Sequence, residues 1–266
     1  MKLYFKLSKH QAYSITGEDA DRYLQGRITQ DIKSLNSNEK SSTESLLLSP
    51  QGKIQAKFNI HKTDTGYTVI TDPSEEFEKD LLQFKVADHV IIDKIEGSII
   101  SIIGANNIES NTSFRYSNKN FDLISTDIDK DIKILEEDGF KEGTEEQRAN
   151  LRILANKPEF GTDIDSNISA TEIPHSDLIS FTKGCYSGQE VVEMSIARGK
   201  PNKGLVKVIS EQKITDKEIF STKDKEKKCG FIQTTSDKIA FAYIKSAFLE
   251  QDTYYTENST LNKLSE

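Results

Sequence analysis

The sequence predicts an α+β fold that ends in a small antiparallel barrel or sandwich. Strand and helix patterns interleave without the regular alternation of a doubly wound parallel sheet. Three strand-like runs follow one another between Glu44 and Thr71, and four more short ones come after Lys200, separated by polar turns. A length of 266 residues suits one or two domains. The change of character at Lys200 divides a body, residues 1–200, from a C-terminal portion, residues 201–266.

Taken in order, GEDADRYLQGRI (17–28) reads as a short amphipathic helix closed by Gly26, a residue suited to the left-handed position after a helix. ESLLLSP (44–50), KIQAKFNIH (53–61) and GYTVIT (66–71) form an antiparallel meander, with Gly52 and Gly66 in its connections. Asp72-Pro73-Ser74-Glu75 offers an N-cap, a first-turn proline and an acid three residues after the cap, so a helix should start there and run through FEKDLLQFKV (77–86). HVIID (89–93) is a further strand, and residues 106–141 mix strand and polar loop. Thr144 and Gln147 fit a capping box for the helix TEEQRANLRILA. GLVKVIS (204–210), IFST (219–222), KKCGFIQTT (227–235) and IAFAYI (239–244) supply the C-terminal strands, and TENSTLNKLSE (256–266) reads as a loose polar tail.

Charge and composition narrow the function classes. Lys+Arg 35 against Asp+Glu 43 gives a net charge of −8. A domain built to hold nucleic acid ordinarily shows a net basic face, because phosphate contacts supply most of the affinity, so no direct nucleic-acid partner is expected. The 9 Tyr and 13 Phe argue against disorder. The first twenty residues show no apolar core of signal-peptide length, and the most apolar stretch, residues 90–105, is interrupted by Asp93, Lys94 and Glu96. No membrane association is expected, and Cys185 and Cys229 are expected as free thiols in a reducing, cytoplasmic setting. His10, His61, His89 and His175 show no metal-ligand spacing, and two thiols are too few for a zinc or Fe–S site within the chain. Cys185 could still be one ligand of a cluster shared with a partner.

The segment densest in chemistry is Lys183-Gly184-Cys185-Tyr186-Ser187-Gly188-Gln189-Glu190, followed by VVEMSIARGKP. Ser187 and Glu190 form a capping-box pattern, Tyr186 and Val191 a hydrophobic staple, and Gly199 and Pro201 a stop, so a helix is predicted from about Gly188 to Arg198. Cys185 would then precede the positive end of that helix, two residues from Lys183, a setting that favours thiolate. Gly184 and Gly188 remove side chains beside it. Two readings follow: a reactive or ligand-facing thiol, or a small buried core residue. Cys229, within a strand pattern, reads as packing.

KGCYSGQE closely resembles the K-G-C-Y-x-G-Q-E motif of the YgfZ family of folate-binding proteins, relatives of the glycine-cleavage T-protein. GEDADRYLQGRITQDI, LLLSPQGKI and RILANKPEFGTDI also look like elements of that family, so the resemblance runs from about Ile15 to Lys203. It implies a two-lobed α+β body around a central folate cavity, plus a small C-terminal antiparallel β-barrel. It further implies a cytoplasmic protein that uses a tetrahydrofolate to help assemble or repair Fe–S clusters in other enzymes, supporting tRNA modification indirectly. On that reading the partners are folate and Fe–S assembly or recipient proteins. Cys185 is the reactive or cluster-contacting thiol, Lys183 biases it toward thiolate, and Tyr186, Gln189, Glu190 and Arg198 face the folate.

Two alternatives accompany this reading: a folate-dependent one-carbon transferase or demethylase of the aminomethyltransferase type, and a non-catalytic folate-responsive adaptor. Departures from the T-protein pattern count against transfer. Ala56 and Lys57 stand where its G-G-x-x-D-D-L strand carries acids, and Leu154 stands where its L-R-x-E-A-G element carries Glu. Within the YgfZ pattern, Arg27 replaces a frequent Gln. Met194 replaces a frequent Arg, which leaves Arg198, Lys200 and Lys203 as the nearest cations for a folate tail.

Overall fold

Alternating burial along the early strands builds a pair of sheets. A computed structural model describes residues 1–35, 41–108, 112–117, 119–199 and 201–264. The chain groups into two compact units: Met1–Pro50, Ile54–Gly143 and Ser176–Gln189 in the first, and Gln51–Lys53, Thr144–His175 and Glu190–Glu266 in the second.

In the first unit the elements are β1 (Leu3–Leu7), β2 (Gln11–Thr16), α1 (Ala20–Arg27), β3 (Ser42–Leu48), β4 (Ile54–Thr63), β5 (Gly66–Thr71), α2 (Phe77–Leu82), β6 (Ile91–Ile95), β7 (Ser98–Ile103), β8 (Ser113–Ser117), β9 (Asn120–Ser125), α3 (Ile128–Glu137) and β10 (Lys141–Glu142). They make two five-stranded sheets, ordered β3-β4-β5-β2-β6 and β10-β1-β7-β9-β8. Among the described residues of these two sheets, only the β1–β10 pair is parallel. On β4, Ala56, Phe58 and Ile60 pack with Leu24 of α1 and Phe77 and Leu81 of α2. On β7 and β9, Ile100, Ile102, Phe121 and Leu123 pack with Leu135 of α3. Period-two alternation turns the other faces of these strands toward each other, where Asn59 of β4 donates to Asp122 of β9 at 3.3 Å. The meander over β3–β5 is as the sequence predicts.

Two helix boundaries differ from the sequence reading. Gly26 lies inside α1, and Ile28, extended, follows the helix. The helix runs on because Arg27 is held: its Nη2 and Nε donate to the carbonyls of Asp80 and Leu81 at 2.7 and 3.2 Å, satisfying the C-terminal end of α2. Helix α2 starts at Phe77, five residues beyond the expected cap Asp72. Asp72 does not cap it, because its carboxylate is drawn toward Lys57 (3.7 Å) and His10 (3.8 Å) instead.

The second unit holds α4 (Glu145–Leu154), most of α5 (Gln189–Ala197), β11 (Lys203–Ile209), β12 (Glu218–Phe220), β13 (Lys228–Ser236), β14 (Ile239–Lys245), β15 (Thr253–Tyr255) and β16 (Thr260–Lys263). The Thr144–Gln147 capping box opens α4, with reciprocal bonds of 2.9 and 3.2 Å. The six strands close into an antiparallel barrel, β11-β14-β13-β12-β15-β16, around Val208, Ile219, Cys229, Ala242, Ile244, Tyr254 and Leu261. Residues 260–263 are therefore no loose tail, and residues 265–266 of the expected tail lie outside the described residues. Leu261 is fully buried, and β16 pairs with both β15 and β11 to close the ring.

Residues 144–175 group with the barrel strands in the second compact unit. The physical reason is Asp163. Its side chain binds Arg152 of α4 and accepts from Thr234 of β13 at 2.5 Å, while its carbonyl accepts from Tyr243 of β14 at 3.2 Å. Among the described residues, no helix is long and apolar enough to cross a membrane.

Truncating Leu261 to Ala should cost about 2–5 kcal/mol, the usual range for deleting a buried leucine side chain. Urea unfolding followed by a probe in the barrel measures it; a change under ~0.5 kcal/mol would mean that the barrel does not need this strand.

Candidate functional site

Residues 176–187 return to the first unit as a strap laid along residues 26–30. Ser180 N–H donates to the Thr29 carbonyl at 3.0 Å, Gln30 Nε2 to the Asp177 carbonyl at 2.8 Å, and Ser187 N–H to the Gly26 carbonyl at 3.2 Å. The Thr29 side chain, completely buried, joins three segments. Its Oγ1 donates to the Leu178 carbonyl at 2.6 Å, accepts from Leu46 N–H at 2.9 Å and lies 3.2 Å from Ser45 Oγ. A buried hydroxyl with three partners is satisfied, and those bonds offset the cost of taking it out of water.

Lys183 closes the strap. Its Nζ donates to the carbonyls of Ile28 and Gln30 at 2.6 and 3.0 Å and lies 5.2 Å from the centre of the Tyr186 ring. Burial brings the Lys183 amine down to about 8, with the Asp31 charge opposing and the Lys33 charge adding to the fall. Lys183 and Tyr186 thus point inward, while Gly184 and Cys185 between them are exposed. A Cβ placed on Gly184 or Gly26 would meet no atom within 4 Å, so the surface beside the thiol is open. Of the two sequence readings of Cys185, the sealed core residue is excluded.

The start of α5 is built differently from the predicted capping box. Gly188 takes a left-handed φ of 84°, Gln189 N–H donates to the Tyr186 carbonyl, and Tyr186 N–H donates to Gln189 Oε1, both at 3.2 Å. The reciprocal pair therefore runs between Tyr186 and Gln189, because the Ser187 N–H is used on Gly26 and glycine alone adopts the tight turn freely. Val192, not Val191, is the buried valine of α5. Glu190 and Arg198 are exposed, and Gly199, with φ 82°, ends the helix as expected.

The remaining candidates fall as follows. Cys229 is sealed in the barrel, and burial pushes its thiol up. His175 Nδ1 is engaged by the Ile173 carbonyl at 2.8 Å. Lys203 lies 4.4 Å from the Tyr243 ring, and Lys200 lies outside the described residues. Ala56 is buried in the core, Lys57 pairs with Glu44 at 3.1 Å, and Leu154 is exposed. Among the described residues, no group of three or more His, Cys, Asp or Glu could hold a metal ion. Sequence reading missed Thr29 and the ionisable side chains of the sheet interface. For the latter a signal existed: Lys57, Asn59 and His61 alternate with the apolar residues of β4.

No protein-family model matches the chain. Its fold is that of the glycine-cleavage T-protein: the aminomethyltransferase T of Bartonella henselae superposes with a TM-score of 0.79 at 13% identity, over 99% of this chain and 85% of that one. In sequence the chain is similar over most of its length to proteins named tRNA-modifying protein YgfZ. It is 25% identical over 225 residues to that of Vibrio atlanticus and 28% over 220 residues to that of Hamiltonella defensa, covering 77% and 72% of this chain. An uncharacterised protein of Haemophilus influenzae is 28% identical over 240 residues, 83% of this chain. The chain spans 78% of the Haemophilus protein, 68% of the Vibrio protein and 65% of the Hamiltonella protein. The resemblance carried by KGCYSGQE thus extends far beyond that motif.

Replacing Lys183 by Met should speed amide exchange of residues 184–188 by tenfold or more, since hydrogen bonds to a charged group contribute about 1.5–3 kcal/mol. The barrel should exchange as before. Because the folded amine titrates near 8 and an unfolded lysine near ~10.4, the folded state binds fewer protons between those values. Wild type, but not Lys183→Met, should then gain stability from Lys183 as pH rises through that window. Thr29→Val should lower global stability by about 1–3 kcal/mol in denaturant titration, because it leaves Leu46 N–H and the Leu178 carbonyl without their partner.

Proposed function

We propose that this protein binds a reduced folate and helps Fe–S clusters to be assembled or repaired in other enzymes, supporting tRNA modification through those enzymes without contacting tRNA itself. The observation that carries this reading is the exposed thiol of Cys185 on a loop pinned from beneath by Lys183, with open space at Gly184 and Gly26. Such a surface admits a second protein to the sulfur.

The cluster is cargo in this scheme. Cys185 offers one thiolate, the proton of the thiol passing to solvent as sulfur meets iron, and no electron moves in that exchange. Cys229 is sealed, so the other ligands belong to the partner. Lys183, engaged with two carbonyls, acts as a positioning residue that holds the loop.

The donors present suit a folate. Glu190 would offer a carboxylate to the N–H edge of a pterin, the Gln189 NH2 would donate to its carbonyl or ring nitrogens, and Arg198 would offer a guanidinium to the carboxylates of the tail. Tyr186, nearly buried, backs the loop. A reduced folate, when bound, supplies a ring able to carry a one-carbon group. Aminomethyl transfer is not favoured, because Ala56, the ion-paired Lys57 and Leu154 cannot act as the acids that the T-protein pattern places there. The two free thiols agree with a reducing, cytoplasmic setting.

Calorimetric titration with tetrahydrofolate should give heat for wild type. Arg198→Ala should bind roughly 10- to 100-fold more weakly, the loss of a charge-assisted pair. No heat with any reduced folate overturns the ligand assignment. Cys185→Ser should bind folate as wild type does yet fail to restore Fe–S enzyme activity in cells that lack the protein; full restoration overturns the role of the thiol and favours an adaptor.

A further inference from the structure

The interface between the two sheets of the first unit is polar where a core is ordinarily apolar. Lys57 of β4, its side chain 7% exposed, lies 3.1 Å from Glu44 of β3 and 3.7 Å from Asp72 at the end of β5. The other oxygen of Asp72 lies 3.8 Å from His10, in the turn before β2. Asp122 of β9, 4% exposed, accepts from Asn59 of β4, is hydrogen-bonded by Ser101 of β7, and feels the charges of His10 and Asp72. His61, next on the same face of β4, is held neutral by burial against Phe114. Arg115 of β8 does not face the cluster; its guanidinium stacks on Phe121, on the opposite face of that sheet.

Three carboxyl groups and two basic groups share this buried space. With His10 protonated and all three carboxyls ionised, they carry one uncompensated negative charge, which one further proton removes. Burial pushes the Asp122 carboxyl up to about 6; the charge of His10 and the bonds from Ser101 and Asn59 oppose that rise, and Asp72 adds to it. The cluster also has a route to water. His10 lines an open cleft of about 550 Å³ between the turns at 8–12, 73–75 and 94–97, whose rim carries Lys9, Lys94, Glu75 and Glu96.

We infer that Glu44, Lys57, Asp72, His10 and Asp122 form a proton-operated latch between the two sheets, loaded through the cleft at His10 and tightened when one proton is taken up. The latch reaches the strap through β3. Glu44 is two residues from Leu46, whose N–H and carbonyl both bind Thr29, so a loosened seam loosens the anchor beneath residues 178–187. This link is mechanical and does not depend on what the strap does.

The sign follows from linkage. A carboxyl that titrates higher in the folded state than in the unfolded chain adds stability while protonated, and that contribution is lost as pH rises from ~3.9 toward 6. The test is denaturant unfolding of wild type and Asp122→Asn at intervals from pH 4 to 8. The ratio of the wild-type unfolding constant to that of the variant should rise roughly tenfold per pH unit between about 4 and 6 and then level off. Hydrogen exchange, corrected for intrinsic rates, should show β9, β3 and residues 178–187 of wild type better protected at pH 5.5 than at pH 8, with no such difference in the variant. Parallel pH profiles for the two proteins would overturn the latch. Should Asp122→Asn fail to fold, carboxyl carbon NMR of wild type decides: an aspartate titrating near 6 that moves higher in His10→Gln supports the latch, and only ordinary aspartate titrations remove it.

Discussion

Everything at the candidate site depends on the way residues 176–187 are stitched to residues 26–30. Thr29 and Lys183 do the stitching from opposite sides: a hydroxyl of the body reaches out to the strap, and an ammonium of the strap reaches back to the body. Each is nearly or wholly removed from water and each is satisfied. The alternatives would leave donors or carbonyls buried without partners, a cost of 1–3 kcal/mol apiece on the usual scale. The exposure of Cys185 is a product of that satisfaction. With Lys183 and Tyr186 committed inward, the two residues between them have nowhere to go but out.

The two units meet the problem of buried charge differently. In the second, Arg148 and Arg152 of α4 are set against the buried Glu159 and Asp163, two cations for two buried anions, with the exposed Glu145 also 3.6 Å from Arg148. In the first, the acids outnumber the bases across the sheet interface, and the mismatch is left for a proton to settle. Balanced pairs hold a geometry, whereas an unbalanced group responds to its surroundings.

Local chemistry made much of the architecture legible in the sequence. The meander, the Thr144–Gln147 box and four barrel strands follow from alternation, caps and turns, all of which act over a few residues. What stayed hidden was set by long-range partners. Asp72 has the pattern of a helix cap but answers to Lys57 and His10. Gly26 has the pattern of a helix stop but is carried through by Arg27 gripping α2. Residues 260–263 are polar enough to pass for a tail, yet backbone pairing on both sides makes them a barrel strand. The exposure of Cys185 was undecided for the same reason: no local rule says that Lys183 will find the carbonyls of Ile28 and Gln30.

The strap also has a bearing on how the chain is made. Its attachment points, from Gly26 to Leu46, leave the ribosome well before residues 176–187 do, and the two sheets can pair in the interval. The cysteine-bearing loop then has a surface to settle on only if that earlier portion has already adopted its native arrangement. A nascent or damaged molecule would keep the segment unanchored, so an orderly display of the sulfur doubles as a sign that the body beneath it is complete.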